Sequence, residues 1–156
     1  MRGGEFLVQA RESPAHCDYL HEFLKHILDS LPNETTPEGI TGADAAVGQF
    51  LWVTLHEVGH ATFDVFDAPI FGSVEDAADN FATYIILQFG KDQARRLIVG
   101  AARAWRAYLG DYKRNPVVPL RLAAFASDHG LPQERYYNLL CLAVGTQRRV
   151  FADLEA

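Results

Sequence analysis

The tightest constraint on this chain is a spacing: His56 and His60 lie four residues apart inside the apolar run "LWVTLHEVGHATF". On an α-helix, residues four apart stand about 40° apart around the axis and one turn apart along it. Two imidazoles placed in this way can converge on one cation. Glu57, beside His56, can reach a water held by that cation without being a ligand itself. Two ligands plus a general base is the logic of His-Glu-x-x-His. The chain also supplies a counter-example. In "HEFLKH", His21 and His26 are five apart, about 140° around a helix, and cannot chelate one metal from a single helix. They are expected on the surface.

A catalytic zinc site takes three protein ligands and leaves a position for water. The extended pattern His-Glu-x-x-His-x-x-Gly-x-x-His would need glycine at position 63 and histidine at 66. Phe63 and Phe66 stand there, and Met1 is the only methionine, so no methionine turn exists. The metzincin arrangement is thereby excluded. The other source of a third ligand is "EDAAD", a short turn downstream. Glu75 and Asp79 are four apart, hence on one face of the following helix, and a helix–turn–helix hairpin brings that face back against His56 and His60. Glu75 is then the third ligand. Asp79 can accept a hydrogen bond from the far nitrogen of a zinc-bound histidine and fix its tautomer. Asp76 points about 100° away and reads as first-turn charge favourable to the helix dipole. Burying this set of ionisable groups without a cation would be costly. Two imidazoles and a carboxylate form the donor set of hydrolytic zinc; manganese, cobalt and iron are compatible with the same spacing.

The rest of the chain reads as helices. Ser13-Pro14 opens one that runs to about Leu31, where Pro32 stops it, and "PNETTPEGI" is a loop. Thr41 or Asp44 caps the helix that carries the histidines to about Phe66. Ser73, with Asp76 three residues on, starts the next, and Gly90 ends it. A long amphipathic helix covers 92–109, followed by a loop, two shorter helices at about 119–128 and 132–144, and a last helical turn. Only "EFLVQA" looks extended. The expected fold is therefore mainly α, with at most a short N-terminal strand. Residues 1–12 read as a leader or extended segment, and residues 13–156 as one helical domain. At 156 residues, 49% hydrophobic and 22% charged, the chain can bury a substantial core.

The net charge of −6 comes with no basic stripe. Arg95, Arg96, Arg103 and Arg106 are interleaved with apolar residues at helical spacing and read as a solvated helix face, not a nucleic-acid contact. No apolar run approaches the ~18 residues of a membrane span, so neither nucleic acid nor membrane is expected as a partner. The start of the chain has no signal-peptide core, which points to the cytoplasm for the chain as written, or to an exported protein if the sequence is a fragment. Cys17 and Cys141 are too few for a disulfide scaffold; one bridge and two free thiols both fit.

The helix with His-Glu-x-x-His followed by Glu-x-x-x-Asp resembles the gluzincin clan of zinc peptidases. The longer string "LHEVGHATFDVFDAPIFGSVEDAADNFATYIIL" is similar to a bacterial metallopeptidase family long filed as a domain of unknown function. "DHGLPQERYYNLLCLAVG" resembles that family's downstream His-x-Leu-x-x-Gln-Arg segment, although Glu134 stands where the family tends to have glutamine. The resemblance covers about residues 17–146 and implies a helical, zincin-like domain of the minigluzincin type. It implies His56, His60 and Glu75 as zinc ligands, Glu57 as base and Asp79 behind a ligand, with His129, Arg135 and Tyr136 lining the site. His129, just before Gly130, reads equally as a charge stabilising a helix C-terminus. A tyrosine such as Tyr136 or Tyr137 serves either as an oxyanion donor or as core.

The leading expectation is a zinc-dependent peptidase acting on peptides or proteins. A second is a zinc-stabilised binding or regulatory module that does not turn over, and a third is a metal-free helical interaction domain. Gluzincins hold an extended peptide against an edge strand, and this chain offers at most one weak strand. Oligomeric state is left open.

Overall fold

Thr41 starts the histidine-bearing helix with a reciprocal cap. Its hydroxyl accepts the Asp44 N–H at 3.1 Å, while the Asp44 carboxylate accepts the Thr41 N–H at 2.9 Å. Two otherwise orphaned donors are satisfied in this way. The computed structural model describes residues 35–37, 39–114 and 130–154, together with Lys25 and Asp29. Within them lie five α-helices: α1 (Gly42–Val65), α2 (Val74–Leu87), α3 (Lys91–Arg114), α4 (Pro132–Thr146) and the single turn α5 (Arg148–Phe151), which runs into a 3₁₀ turn at Ala152–Leu154. The fold is mainly α, with no strand among the described residues. The expected N-terminal strand, the helix at 13–31 and the helix at about 119–128 lie outside those residues, Lys25 and Asp29 apart.

The punctuation acts as its chemistry dictates. Ser73 Oγ accepts the Asp76 N–H at the start of α2. Gly90 has φ +88°, a left-handed conformation that costs glycine nothing, and it turns the chain directly into α3. Pro132 sits at the first position of α4, where its missing N–H is no loss, and the Glu134 carboxylate accepts the Leu131 N–H at 3.0 Å. Two helices run beyond the expected ends at 109 and 144, each through a glycine. Helix α3 continues past Gly110 to Arg114, and α4 includes Gly145. Glycine costs a helix only about 1 kcal/mol per residue, which flanking turns and packing can absorb.

Helices α1 and α3 form the backbone of the fold, and they touch main chain to main chain. A Cβ built on Gly48 would lie 2.5 Å from the Leu97 carbonyl oxygen, and one built on Gly100 would collide with that of Asp44. Helix α2 folds back along α1 as the sequence hairpin requires, and α4 closes over both α2 and α3. The core between them is made by Trp52, Ala82, Ile86, Leu87, Ile98, Ala101, Trp105, Leu139, Ala143 and Phe151.

The arginines of α3 correct one expectation, since three of the four make tertiary contacts. Arg95 grips Asp153 through both oxygens at 2.9 and 2.6 Å and donates to the Val150 carbonyl. Arg96 pairs with Asp44 at 3.0 Å, and Arg103 donates to the Ile40 carbonyl. A face that reads as solvated by its periodicity therefore ties both ends of the described chain to α3. Periodicity shows which face lacks apolar residues, but not which neighbouring segments pass over it.

Candidate metal centre

Three helices build the site. Helix α1 brings His56 and His60 one turn apart, and Gly59 between them lets α2 approach: a Cβ there would lie 3.3 Å from Ala78 Cα and 3.1 Å from the Phe81 ring. Helix α2 brings Glu75 in its first turn and Asp79 one turn later. Helix α4 brings Arg135. Four of these five side chains pair at the four-residue spacing read in the sequence, and the hairpin brings the two helix faces together.

His56 Nε2 lies 3.0 Å from His60 Nε2 and 3.2 Å from Glu75 Oε2, while His60 Nε2 lies 3.4 Å from Glu75 Oε1. Among the described residues this is the one cluster of three or more such side chains whose ligand atoms converge closely enough for a metal ion. Exposure rises across it. The His56 side chain is 1% exposed, Glu75 15% and His60 27%, so the cluster opens to solvent on the His60 side.

The other face of His56 settles its proton. Nδ1 lies 2.6 Å from Asp79 Oδ1 and 3.5 Å from Arg135 Nη2. A guanidinium can only donate, so the acceptor is the carboxylate, and Nδ1 carries the proton. In a neutral ring, that arrangement turns the Nε2 lone pair toward His60 and Glu75. Lone pairs 3.0–3.4 Å apart repel unless a cation or a proton lies between them. A tetrahedral metal with bonds of ~2.0–2.1 Å holds its ligand atoms about 3.3 Å apart. The separations found here match that edge, and two imidazoles with a carboxylate are a donor set suited to a divalent first-row metal.

Asp79 is itself heavily engaged. Arg135 Nε donates to Oδ2 at 2.9 Å and Nη2 to Oδ1 at 2.7 Å. Burial alone would push this carboxyl up, but hydrogen bonds from His56 and Arg135 and the charge of Arg135 hold it below the ordinary carboxylate value. The guanidinium lies against both Trp52 and Trp105, in the corner made by these perpendicular indoles, with its carbon 4.9 Å from each ring centre. Trp52 Nε1 donates to Thr83 Oγ1 at 3.0 Å, and that hydroxyl donates to the Asp79 carbonyl at 2.9 Å.

The remaining sequence candidates fall as follows. Glu57 is exposed on α1 beside His56. Tyr136 is half-buried, packed against the main core, with its ring edge-to-face on Tyr137 at 5.2 Å. His129 lies outside the described residues, as does Cys17, while Cys141 is a free, exposed thiol. His21 and His26 also lie outside them. Asp76 borders a shallow polar cleft with Gln133, Glu134, Tyr137 and Asn138. The contributions of Trp52, Thr83 and Trp105 were not foreseen from sequence. One signal was available: Trp52 is four residues before His56, and Thr83 is four after Asp79, so each shares a helix face with the site.

The sequence model of a family described as "putative metallopeptidase" matches residues 14–156. The chain belongs to this family. The match takes in all four helices that build and support the centre, α1 to α4. No curated protein and no solved structure matches the chain. A metallopeptidase family and a converging His56–His60–Glu75 cluster both point to a metal ion at this position.

Proposed function

We propose that the chain is a zinc-dependent peptidase whose metal is held by His56, His60 and Glu75 and whose general base is Glu57. The observation that supports this most strongly is the convergence of two imidazole nitrogens and a carboxylate within 3.0–3.4 Å of one another. Zinc bound there would polarise the scissile carbonyl and lower the pKa of a water ligand toward ~7.

The residues divide the remaining work. Glu57 lies next to a ligand on the exposed side of α1, takes the proton of the attacking water and delivers it to the leaving amine. Asp79 holds the His56 ring with its Nε2 lone pair toward the metal position. Buried His56 anchors the deep side of the centre, and the more exposed His60 and Glu75 leave its outer side open to a peptide. His129 and Tyr136 are the proposed donors to the developing oxyanion.

The test compares wild type with Glu57→Gln for zinc content and for cleavage of a broad peptide library. Both proteins should hold zinc equally, and cleavage should fall by about 10²–10⁴-fold in the variant, the usual contribution of general acid–base catalysis. Equal cleavage by the two would sink the mechanism. A wild type that holds zinc but cleaves nothing would identify the second reading, a zinc-stabilised binding module.

A further inference from the structure

Arg135 stands beside the metal centre, and the reaction above does not use it. Among the described residues it is the only residue of α4 that hydrogen-bonds into the centre, with both of its strong bonds on Asp79 and a longer 3.5 Å approach to His56 Nδ1. It has a built environment of its own. The guanidinium sits in the corner made by two indoles, its carbon 4.9 Å from the ring centres of both Trp52 and Trp105. Those two rings are held edge-to-face at 5.6 Å. From that slot it meets Asp79 with two parallel hydrogen bonds, a fork that lysine cannot reproduce.

Resting on the proposed metal centre, we propose that Arg135 is a positioning residue for it, acting on His56 through Asp79. The carboxylate has to accept from His56 Nδ1 at Oδ1 while its plane stays fixed. Arg135 occupies both oxygens and so removes the rotation about the side chain that would let Oδ1 leave the ring nitrogen. The imidazole plane, and with it the direction of the Nε2 lone pair, is thereby set by a third helix. The alternative is that Arg135 is merely a packed cation closing the core between two tryptophans. Its bidentate bonding to the carboxylate that meets His56 Nδ1 argues against that reading, because packing alone would not require the fork to face Asp79.

The experiment measures Zn²⁺ affinity by chelator competition for wild type, Arg135→Met, Arg135→Lys, Asp79→Asn and the double variant Asp79→Asn/Arg135→Met. It also records the visible spectrum of each protein loaded with Co²⁺ and the melting temperature of each without metal. Loss of an outer partner of a metal-bound histidine typically costs 10–100-fold in metal affinity. Arg135→Met and Arg135→Lys should each show a loss of that order and an altered Co²⁺ spectrum. The double variant should bind no more weakly than Asp79→Asn, since both changes break one chain of contacts. The lysine variant keeps a cation against the indoles, so it separates loss of the fork from loss of packing even if the methionine variant does not fold. Wild-type affinity in Arg135→Lys, or losses that add in the double variant, would overturn the proposal. A wild type that binds no metal overturns the reading on which it rests, and the two failures are distinguishable because only the second appears in wild type.

Discussion

At His56 the two ring nitrogens face different partners. Nδ1 spends its proton on Asp79 at 2.6 Å, which leaves Nε2 as a donor atom facing His60 and Glu75. Glu75 completes the set, and its removal is the cleanest test of ligand count. Glu75→Gln should lose at least the 10–100-fold in metal affinity that losing an outer partner costs, measured by competition with a chromogenic chelator. The convergence of His56, His60, Glu75 and Asp79 was legible in the sequence because each pair is spaced by four residues on its own helix. Arg135 was legible only as a resemblance. Its partners sit 56 residues away on α2 and in a slot shared by α1 and α3, and no local spacing encodes a contact among helices that far apart.

At the level of the elements, the site depends on close helix approach more than on helix propensity. Gly48 and Gly100 allow α1 and α3 to meet along their main chains, and Gly59 lets α2 lie against the histidine turn. Gly100→Ala forces a methyl group against the Asp44 carbonyl and should destabilise the protein by about 1–3 kcal/mol, as overpacking generally does. Denaturant titration followed by circular dichroism reads this directly. Thr41→Ala removes one half of the cap on α1 and should cost about 0.5–2 kcal/mol in the same measurement. The starts of α1 and α2 were readable from Thr41, Asp44 and Ser73 because caps are local chemistry. The end of α3 was not, because Gly110 marks a terminator only where nothing downstream continues the helix.

Across the whole molecule, two surface carboxylates tie distant segments to α3, and both respond to pH. Asp44 is held below the ordinary value of 3.8 chiefly by the Thr41 N–H and hydroxyl, then by Arg96; Asp153 is held below it chiefly by Arg95. Groups that bind protons more weakly folded than unfolded lend stability above their unfolded pKa and lose it as pH falls through the folded one. The melting temperature should therefore drop as pH falls from about 4 downward. In Asp44→Asn/Asp153→Asn it should start lower near neutrality and decline less steeply. A variant with the wild-type acid profile would show that these two staples contribute nothing.

The central claim is that α1 and α2 fold together to hold a catalytic metal, and metal content tests it most directly. Elemental analysis of protein purified without added metal, beside His60→Ala and Glu75→Gln prepared identically, should find one tightly held zinc per wild-type chain and little in either variant. Wild type that carries no metal, and takes up none when zinc is supplied, would contradict the account.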